Sequence, residues 1–570
     1  MLSDFPRTLR TVRHLRPGQW TSRLRHELWL RTLKRIAPLQ RRLYAADPSA
    51  QAAQVALSPP DGRMLEQLRE TAERFRLGRV LLFGEEADRD DFTGASQPKL
   101  WRYQRHYQDE LSALATVAAH EPEGPWLDEA RSFLQRWEAA VPPGAGDAWE
   151  PYPVARRILS WAEACAFAPG LRPALAPLLL GHLRFLRRHV ERHLLGNHLL
   201  CDAAALVAGG CALEGAEAAR IAAQGAKLLA HELKRQLLPD GGYAERAPLY
   251  HALVLRDALL ALALARQRHL PLPIENLVSR MLRFLTLVRR QGGLLPCLND
   301  STVEASFIAR DALSRGLMLE LLDASDDHSD DLSLPDTGWS LVRHGRSELL
   351  FEHGPLGPAE NPGHGHADAL SFELFWDGAA VILDTGVSTY APGPERDYER
   401  SARAHACVTV DGESADELWG AFRAGGRAHV SAERAGVERG VRLLRGRLRA
   451  FQGWTHERRI AFLPGRALVV LDEVRDARGR IEAHLPLAPS WFLSSGVLQG
   501  PRPLELRVLR GTLQPTKRGW RADGFGRRVA RDVPSVLAEG VRIAFAFCAP
   551  GAEIALTERG VRIDGAELQP

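Results

Sequence analysis

The chain has 570 residues, of which 45% are hydrophobic and 25% are charged, an ordinary composition for a globular protein. This length exceeds what one hydrophobic core organises, so two or three domains are expected. The 74 Lys and Arg residues nearly balance the 70 Asp and Glu residues, and the net charge of +4 argues against nucleic acid as a partner. Six scattered cysteines without a C-x-x-C pair predict reduced, buried thiols rather than a disulfide framework.

Residues 1–45 alternate apolar and basic positions, which predicts short amphipathic helices with cationic faces. Packing of these helices on the main domain is the favoured interpretation, and a role at a membrane surface is the alternative. The segment lacks the apolar core of a secretory signal, and we find no apolar run near the ~20 residues of a membrane span. These features predict a cytoplasmic protein, with the periplasm as the alternative.

From about residue 64 to 325 the sequence has the apolar period of α-helices. Gly and Pro residues separate the helical stretches. Many short helices joined by tight turns are typical of a helical toroid or solenoid. The clearest helical stretches are 155–168, 173–193, 198–212, 218–238 and 249–268.

After an acidic, turn-rich linker at 324–338 the apolar period drops to two. Short strands with Gly and Asp turns predict an antiparallel β-sandwich. We therefore expect an N-terminal helical extension (1–62), a helical domain (63–328) and a β-sandwich domain (329–570), with a natural cleft at the junction of the last two. The predicted strands are at 339–345, 348–354, 370–376, 380–386, 407–412, 466–474 and 540–547.

Three motifs of the sandwich half, PGHGHAD (362–368), LDTG (383–386) and AHACVTVDG (404–412), carry histidines and an aspartate. His366, Asp384 and His405 supply two nitrogens and one oxygen, which suits a tetrahedral zinc site with a fourth position left open. His364 is then free for proton transfer. The segment reads as β-strand, on which residues two apart share a face, so His364 and His366 are expected to face one cleft. The alternative is a set of polar strand residues without a joint role.

The helical half offers candidates of its own. GNHLLCD (196–202) places Asn197 and His198 at the start of a helix, where the asparagine is either functional or a helix cap. In LLPDGGYAERAPLYHALVLRD (237–257), a Gly-Gly turn is expected to expose Glu245 and Arg246. Tyr250 follows as an acid/base candidate or as core packing.

Aromatic residues interleaved with arginines occur at 98–110 and 149–161. Trp101, Tyr103 and Arg156 from these segments could line a groove that binds sugars and acidic groups, or they could pack ordinary helices. Asn299 and Asp300, in CLNDS (297–301), lie in a loop and have no assigned role.

The motifs PGHGHADALSFEL and VILDTGVSTYAPGPERDYERSARAHACVTVDGE strongly resemble those of the heparinase II/III-like polysaccharide lyases. NHLL, DGGYAERAPLYHALVLRD and PKLWRYQRHYQDE look like signatures of that family's helical domain, so the resemblance spans roughly residues 1–550. It implies an (α/α) toroid followed by an antiparallel β-sandwich. It also implies β-elimination on a uronic-acid-containing polysaccharide, with the active site between the domains.

The resemblance carries over residue by residue. Asn197, with His198 beside it, matches the group that neutralises the uronate carboxylate, Tyr250 the catalytic tyrosine, and His364 the catalytic histidine that acts as base on one face of the sugar. If base and acid act on the same face, Tyr250 could do both jobs; with the opposite geometry, His364 takes the proton and Tyr250 gives one. His366, Asp384 and His405 match the ligands of a zinc ion that is structural in the family. This chain has Ala406-Cys407 after His405 where the family commonly has Asn-Thr, which changes the surroundings of the metal.

The resulting prediction is a polysaccharide lyase acting on an acidic polysaccharide. The alternatives are a non-catalytic polysaccharide-binding or assembly factor of exopolysaccharide biosynthesis and a hydrolase whose zinc activates water. No spacing rule identifies the polymer, and a homo-oligomer is left open. The residues assigned to substrate binding are Trp101, Tyr103, Arg156, Glu245 and Arg246.

Overall fold

The computed structural model describes residues 5–58, 60, 62–290, 292–322, 331–558 and 560–569. Helices fill the N-terminal part, and antiparallel sheets fill the part after residue 331, as the sequence predicts. The predicted boundary at 328/329 and residues 324–330 of the acidic linker lie outside the described residues. The rest of the predicted linker is not all turn, because Asp331–Leu334 forms a strand that pairs with residues 339–342.

The five strongest helical predictions each correspond to an observed helix, α8 to α12 below. The described α-helices are α1 (Phe5–Val12), α2 (Pro17–Arg31), α3 (Ala37–Tyr44), α4 (Gly62–Arg76), α5 (Lys99–Arg105), α6 (Asp109–His120), α7 (Trp126–Ala140), α8 (Pro151–Phe167), α9 (Arg172–His189), α10 (Gly196–Cys211), α11 (Ala216–Gln236), α12 (Pro248–Gln267), α13 (Glu275–Val288), α14 (Ala305–Met318) and α15 (Pro394–Arg400).

The strands include all those predicted from the period of two, together with a hairpin, β1–β2, inside the helical part. They are β1 (Arg79–Leu82), β2 (Glu85–Asp88), β3 (Asp331–Leu334), β4 (Trp339–His344), β5 (Ser347–Glu352), β6 (Phe372–Trp376), β7 (Ala379–Ile382), β8 (Val408–Val410), β9 (Leu418–Trp419), β10 (Arg423–Ala424), β11 (His429–Glu438), β12 (Val441–Arg449), β13 (Thr455–Leu463), β14 (Ala467–Arg475), β15 (Ile481–His484), β16 (Phe492–Ser494), β17 (Val497–Gln499), β18 (Glu505–Arg510), β19 (Thr512–Leu513), β20 (Lys517–Ala522), β21 (Arg528–Val533), β22 (Ser535–Leu537), β23 (Arg542–Cys548), β24 (Ile554–Leu556), β25 (Val561–Ile563) and β26 (Ala566–Leu568).

The helical part is built around α10, which packs against α8, α11 and α12. Small residues permit this close packing: a Cβ added to Gly209 would lie 2.6 Å from a methyl group of Ile158 in α8. Among the described residues, α12 is the one helix long and apolar enough to cross a membrane, but 83% of that stretch is buried inside the protein. It is therefore explained as a core helix.

The sandwich part contains a five-stranded sheet in the order β3-β4-β5-β6-β7 and a six-stranded sheet in the order β11-β12-β13-β14-β23-β18. Their inner faces share one apolar core. Gly446 of β12 marks a close approach, because a Cβ there would lie 2.4 Å from Leu370 and 3.0 Å from Phe351. The loops between β5 and β8 carry the histidine and aspartate motifs.

Candidate active site

Tyr250 and His364 meet at the junction of the two parts. Tyr250 lies in the first turn of α12, and His364 lies in the loop before β6. Their rings are stacked, with centroids 3.8 Å apart and planes at 26°. The Tyr250 hydroxyl also shares a 2.8 Å hydrogen bond with the Tyr390 hydroxyl. The structure thus brings together the two residues predicted to move protons, although 114 positions separate them.

Asp300 organises the histidine side of the site. Its Oδ2 lies 2.8 Å from His364 Nδ1, its Oδ1 lies 2.8 Å from His366 Nε2, and Arg396 pairs with both oxygens. Burial favours the protonated acid, but the charge of Arg396 and the two histidine bonds hold the pKa of Asp300 well below its usual range. An ionised Asp300 accepts the Nδ1 proton of His364 and leaves Nε2 as a base. Nε2 has no hydrogen-bond partner in the described part of the chain.

Asn299 adds a second link between the parts. Its side-chain oxygen accepts the backbone N–H of His366 at 2.8 Å, and the backbone N–H of Asp300 donates to the His364 carbonyl at 3.1 Å. The loop that contains Asn299 and Asp300, to which the sequence assigned no role, therefore holds His364 and His366 in place. Tyr390 and Arg396 also belong to the site and were not predicted, although both lie in the stretch 381–413 that carries the resemblance.

The surroundings of Tyr250 favour the protonated form of its hydroxyl. Burial, with Tyr390 and Asp300 nearby, raises the pKa of Tyr250 well above its usual value. The phenol therefore stays protonated at neutral pH. It can give its proton to a leaving oxygen, whereas His364 Nε2 is available to take one.

Asn197 lies in the first turn of α10 and is 4% exposed. The helix begins without a side-chain cap, and the side-chain oxygen of Asn197 has no partner among the described residues, so the alternative of a helix cap is wrong. Its backbone N–H donates to Glu245 Oε1 at 3.2 Å. Gly196 is required here, because its φ is +57° and an added Cβ would lie 2.2 Å from that same oxygen.

Glu245 and Arg246 are buried, so their expected exposure on the Gly-Gly turn is wrong. Arg246 binds the backbone carbonyls of Asp336 and Thr337, which fixes the turn against the sandwich part. Burial raises the pKa of Glu245. Glu245 therefore loses its proton less readily than a free glutamate.

His198 lies at the same end of α10. Its Nδ1 is 2.9 Å from Glu191, and its ring packs on Tyr152 with centroids 4.4 Å apart. Burial opposes protonation, but Glu191 outweighs it and raises the pKa of His198. His198, next to Asn197 in the sequence, therefore holds a proton more readily than a free imidazole.

The remaining residues predicted to bind substrate have protein partners. Trp101 is 5% exposed, Tyr103 donates to Glu150, and Arg156 binds both oxygens of Asp257 at 2.9 and 2.8 Å. Their role in substrate binding stays a prediction.

His366, Asp384 and His405 come together as predicted, and a ligand atom of each lies within 4.8 Å of the others. They lie in loops at the ends of strands rather than on one strand, so the strand interpretation of 362–368 is wrong. Nε2 of His366 faces Asp300, and Nε2 of His405 lies 3.0 Å from the carbonyl of Glu399. Nδ1 of His405 faces Asp384, and the bond of His366 Nε2 to Asp300 leaves Nδ1 of His366 as its free ring nitrogen within the described ranges, as in sites where outer partners orient metal-binding histidines.

One observation tests whether the three residues fit a metal ion. Nδ1 of His366 is buried and has no hydrogen-bond partner among the described residues. Burial lowers the pKa of His366 to about 4, against the opposing effect of Asp300, so its lone pair is free at neutral pH. With Asp384 2.6 Å from His405 Nδ1, the set could hold a metal ion. Cys407, whose thiol lies 3.5 Å from the Ala369 carbonyl, is buried nearby.

The fold and this site define a protein of the polysaccharide-lyase architecture. The family model of the heparinase II/III N-terminus matches residues 141–318, and that of the heparinase II/III-like C-terminal domain matches residues 326–570. The chain therefore belongs to the heparinase II/III-like family. It consists of an (α/α) toroid followed by an antiparallel β-sandwich, as predicted.

The chain is also similar to individual proteins and to a solved structure. The chain is similar to FtsZ-localized protein C of Caulobacter vibrioides, with 26% identity over 80% of this chain and 75% of that protein. It is 23% identical to a heparin-sulfate lyase of Pedobacter heparinus, over 47% of this chain and 44% of the lyase. A crystal structure of heparinase III shares the fold with a TM-score of 0.70 at 14% identity, over 96% of this chain and 97% of that structure.

Proposed function

We propose that the protein is a polysaccharide lyase that cleaves a uronic-acid-containing polysaccharide by β-elimination. The observation that carries the proposal is the stacked pair of Tyr250 and His364 at the domain junction. Asn197 is linked to this pair through Glu245, which accepts its backbone N–H and interacts electrostatically with both His364 and Tyr250. Such a lyase removes the C5 proton of a uronate and expels the oxygen at C4. It needs a base, an acid and a group that stabilises the negative charge on the carboxylate.

Each residue then has one task. Asp300 holds His364 so that Nε2 accepts the C5 proton. Tyr250 gives its proton to the leaving oxygen, and its bond to Tyr390 keeps the hydroxyl in position. The amide of Asn197 donates to the substrate carboxylate, where charge grows as the proton leaves. Acid–base help of this kind contributes about 10²–10⁴-fold per group.

The stacking also favours one substrate configuration. Rings with centroids 3.8 Å apart are in van der Waals contact, so no sugar ring fits between them and both groups approach from one side. In a glucuronate the C5 hydrogen and the C4 oxygen lie on the same face of the ring, whereas in an iduronate they lie on opposite faces. We therefore propose a polymer of the glucuronate configuration as the substrate.

We propose zinc as the metal held by His366, Asp384 and His405, since two imidazoles and a carboxylate suit that ion. Its contribution is structural: when bound, it joins the loops that carry the three ligands. His364 lies two positions before His366, but Asp300 rather than the metal site holds its ring. The proposed proton transfers therefore use side chains alone.

The test is the ultraviolet absorbance of the C4–C5 double bond conjugated to the carboxylate, measured on a panel of uronate polysaccharides. We expect signal from the wild type on glucuronate polymers and none from Tyr250→Phe or His364→Ala. Tyr398→Phe is the matched control, because that tyrosine packs on Trp520 and contacts neither member of the pair. New reducing ends without absorbance would instead support the zinc hydrolase.

A second candidate is a non-catalytic polysaccharide-binding or assembly factor. The similarity to a protein named for its localisation with FtsZ, over most of both chains, favours it. Polymer binding by folded, zinc-loaded protein without any absorbance change would support this candidate over the lyase.

A further inference from the structure

The outward face of α2 is apolar. Trp20, Leu24 and Leu28 follow one another at intervals of four residues and therefore share one side of the helix. They are 48%, 73% and 61% exposed, and we call them the outer stripe. In the neighbouring helix α1, Phe5 and Leu9 repeat the same spacing and are 66% and 55% exposed. Single exposed apolar residues are ordinary, but the same spacing repeated on two successive helices, with three residues on one side of α2, indicates a surface that another body covers.

The inner sides of the two helices are fixed to the rest of the protein. In α1, Arg10 pairs with Glu417, and Thr11 accepts a hydrogen bond from Trp419 at 3.1 Å. In α2, Trp29 is buried against His189, with ring centroids 4.1 Å apart. The favoured interpretation, that these helices pack on the rest of the protein, is thus confirmed for the inner side of each helix. The outer stripe is held outward by a docked helix.

The N-terminal segment is also strongly basic. Residues 1–45 contain 11 Lys and Arg residues against 2 Asp and Glu residues, while the rest of the chain contains 63 against 68. Arg23 and Arg31 are exposed three positions after Trp20 and Leu28, so they flank the outer stripe. Glu27, which lies 3.5 Å from Arg31, is the one acidic residue among the described positions of this segment.

We propose that α1 and α2 dock the protein on the surface of an anionic lipid bilayer. Apolar side chains with Trp among them enter the boundary between headgroups and acyl chains, and flanking arginines pair with anionic headgroups. A second copy of this chain fits less well, because it would bring an equally cationic surface against this one. Nucleic acid would use the arginines but leaves the outer stripe without a role. This docking does not depend on lyase activity.

The test is co-sedimentation of the full chain with vesicles of phosphatidylcholine alone and with vesicles that also contain phosphatidylglycerol. We expect binding to the anionic vesicles, little binding to the neutral ones, and weaker binding as salt is added. Leu24→Ser should lower the partition coefficient roughly tenfold through lost apolar burial. Arg23→Glu should lower it roughly 25-fold, since each unit of charge near such a surface changes it about fivefold.

Matched controls lie elsewhere on the surface. Leu77→Ser changes a leucine that is 68% exposed just after α4, and Arg220→Glu reverses an exposed charge on α11. Both should bind vesicles like the wild type, and thermal unfolding should show all four variants folded. The proposal is overturned if the wild type ignores anionic vesicles, or if each variant binds like its control. The proposal is also overturned, in favour of a second copy, if the protein dimerises without vesicles and Leu24→Ser abolishes the dimer. It is overturned in favour of nucleic acid if the protein binds duplex DNA and Leu24→Ser leaves that binding intact.

Discussion

Replacing Asp300 with asparagine tests the arrangement of the proposed site most directly. The carboxylate is fully buried and accepts bonds from His364, His366 and Arg396. An asparagine whose NH₂ group faces His364 Nδ1 would move the imidazole proton to Nε2 and remove the base. We expect kcat to fall by about 10²–10⁴-fold, with KM nearly unchanged.

The same change also costs stability. Arg396 is fully buried, and removal of its partner charge costs about 3–5 kcal/mol. Asp472→Asn is the matched control, because Asp472 is likewise buried and bonded by an arginine and a histidine, Arg458 and His456. It should destabilise the protein similarly while the folded fraction keeps its turnover rate. Both variants would be compared by ultraviolet absorbance at saturating substrate, corrected for folded fraction. Wild-type kcat in folded Asp300→Asn would refute the role of Asp300 in positioning His364.

Three other perturbations have defined outcomes. Tyr250→Phe should keep its unfolding temperature within a few degrees yet lose about 10²–10⁴-fold in turnover, as circular dichroism and the absorbance assay would show. His405→Ala should abolish zinc binding in metal analysis and lower the unfolding temperature. If chelation of the wild type lowers the rate per folded molecule, the result would contradict a structural ion. Burial raises the pKa of Asp416 to about 6, so as the pH rises the unfolded chain loses this proton at a lower pH than the folded protein does. The free energy of unfolding should therefore fall by about 2–3 kcal/mol as the pH rises from 4 to 6. Asp416→Asn should remove that slope in denaturant titrations, and an unchanged slope would assign it to other groups.

The elements were predictable because each is encoded locally. The stretch 249–268 has the helical period and forms α12, and the stretch 466–474 alternates and forms β14. Residues grouped by short motifs were also predictable, as with His364 beside His366. The pairing of Asp300 with these histidines was not, since it joins positions 64 and 66 apart through the packing of two domains.

Burial was the other quantity that local sequence did not determine. Arg156 reads as a groove residue until Asp257, 101 positions later, is found to bind it. Glu245 reads as exposed because it follows two glycines and a charged pattern, yet the sandwich part covers the turn through Arg246. In both cases a distant segment decides the environment of the side chain.

The links of the 299–300 loop to the sandwich part restrict domain motion. Separating the toroid from the sandwich would break the bonds of Asp300 to His364, His366 and Arg396 and would expose charges that are buried together. A hinge opening of the cleft is therefore costly. We therefore expect the toroid and the sandwich to keep one relative orientation for as long as the contacts of Asp300 are intact.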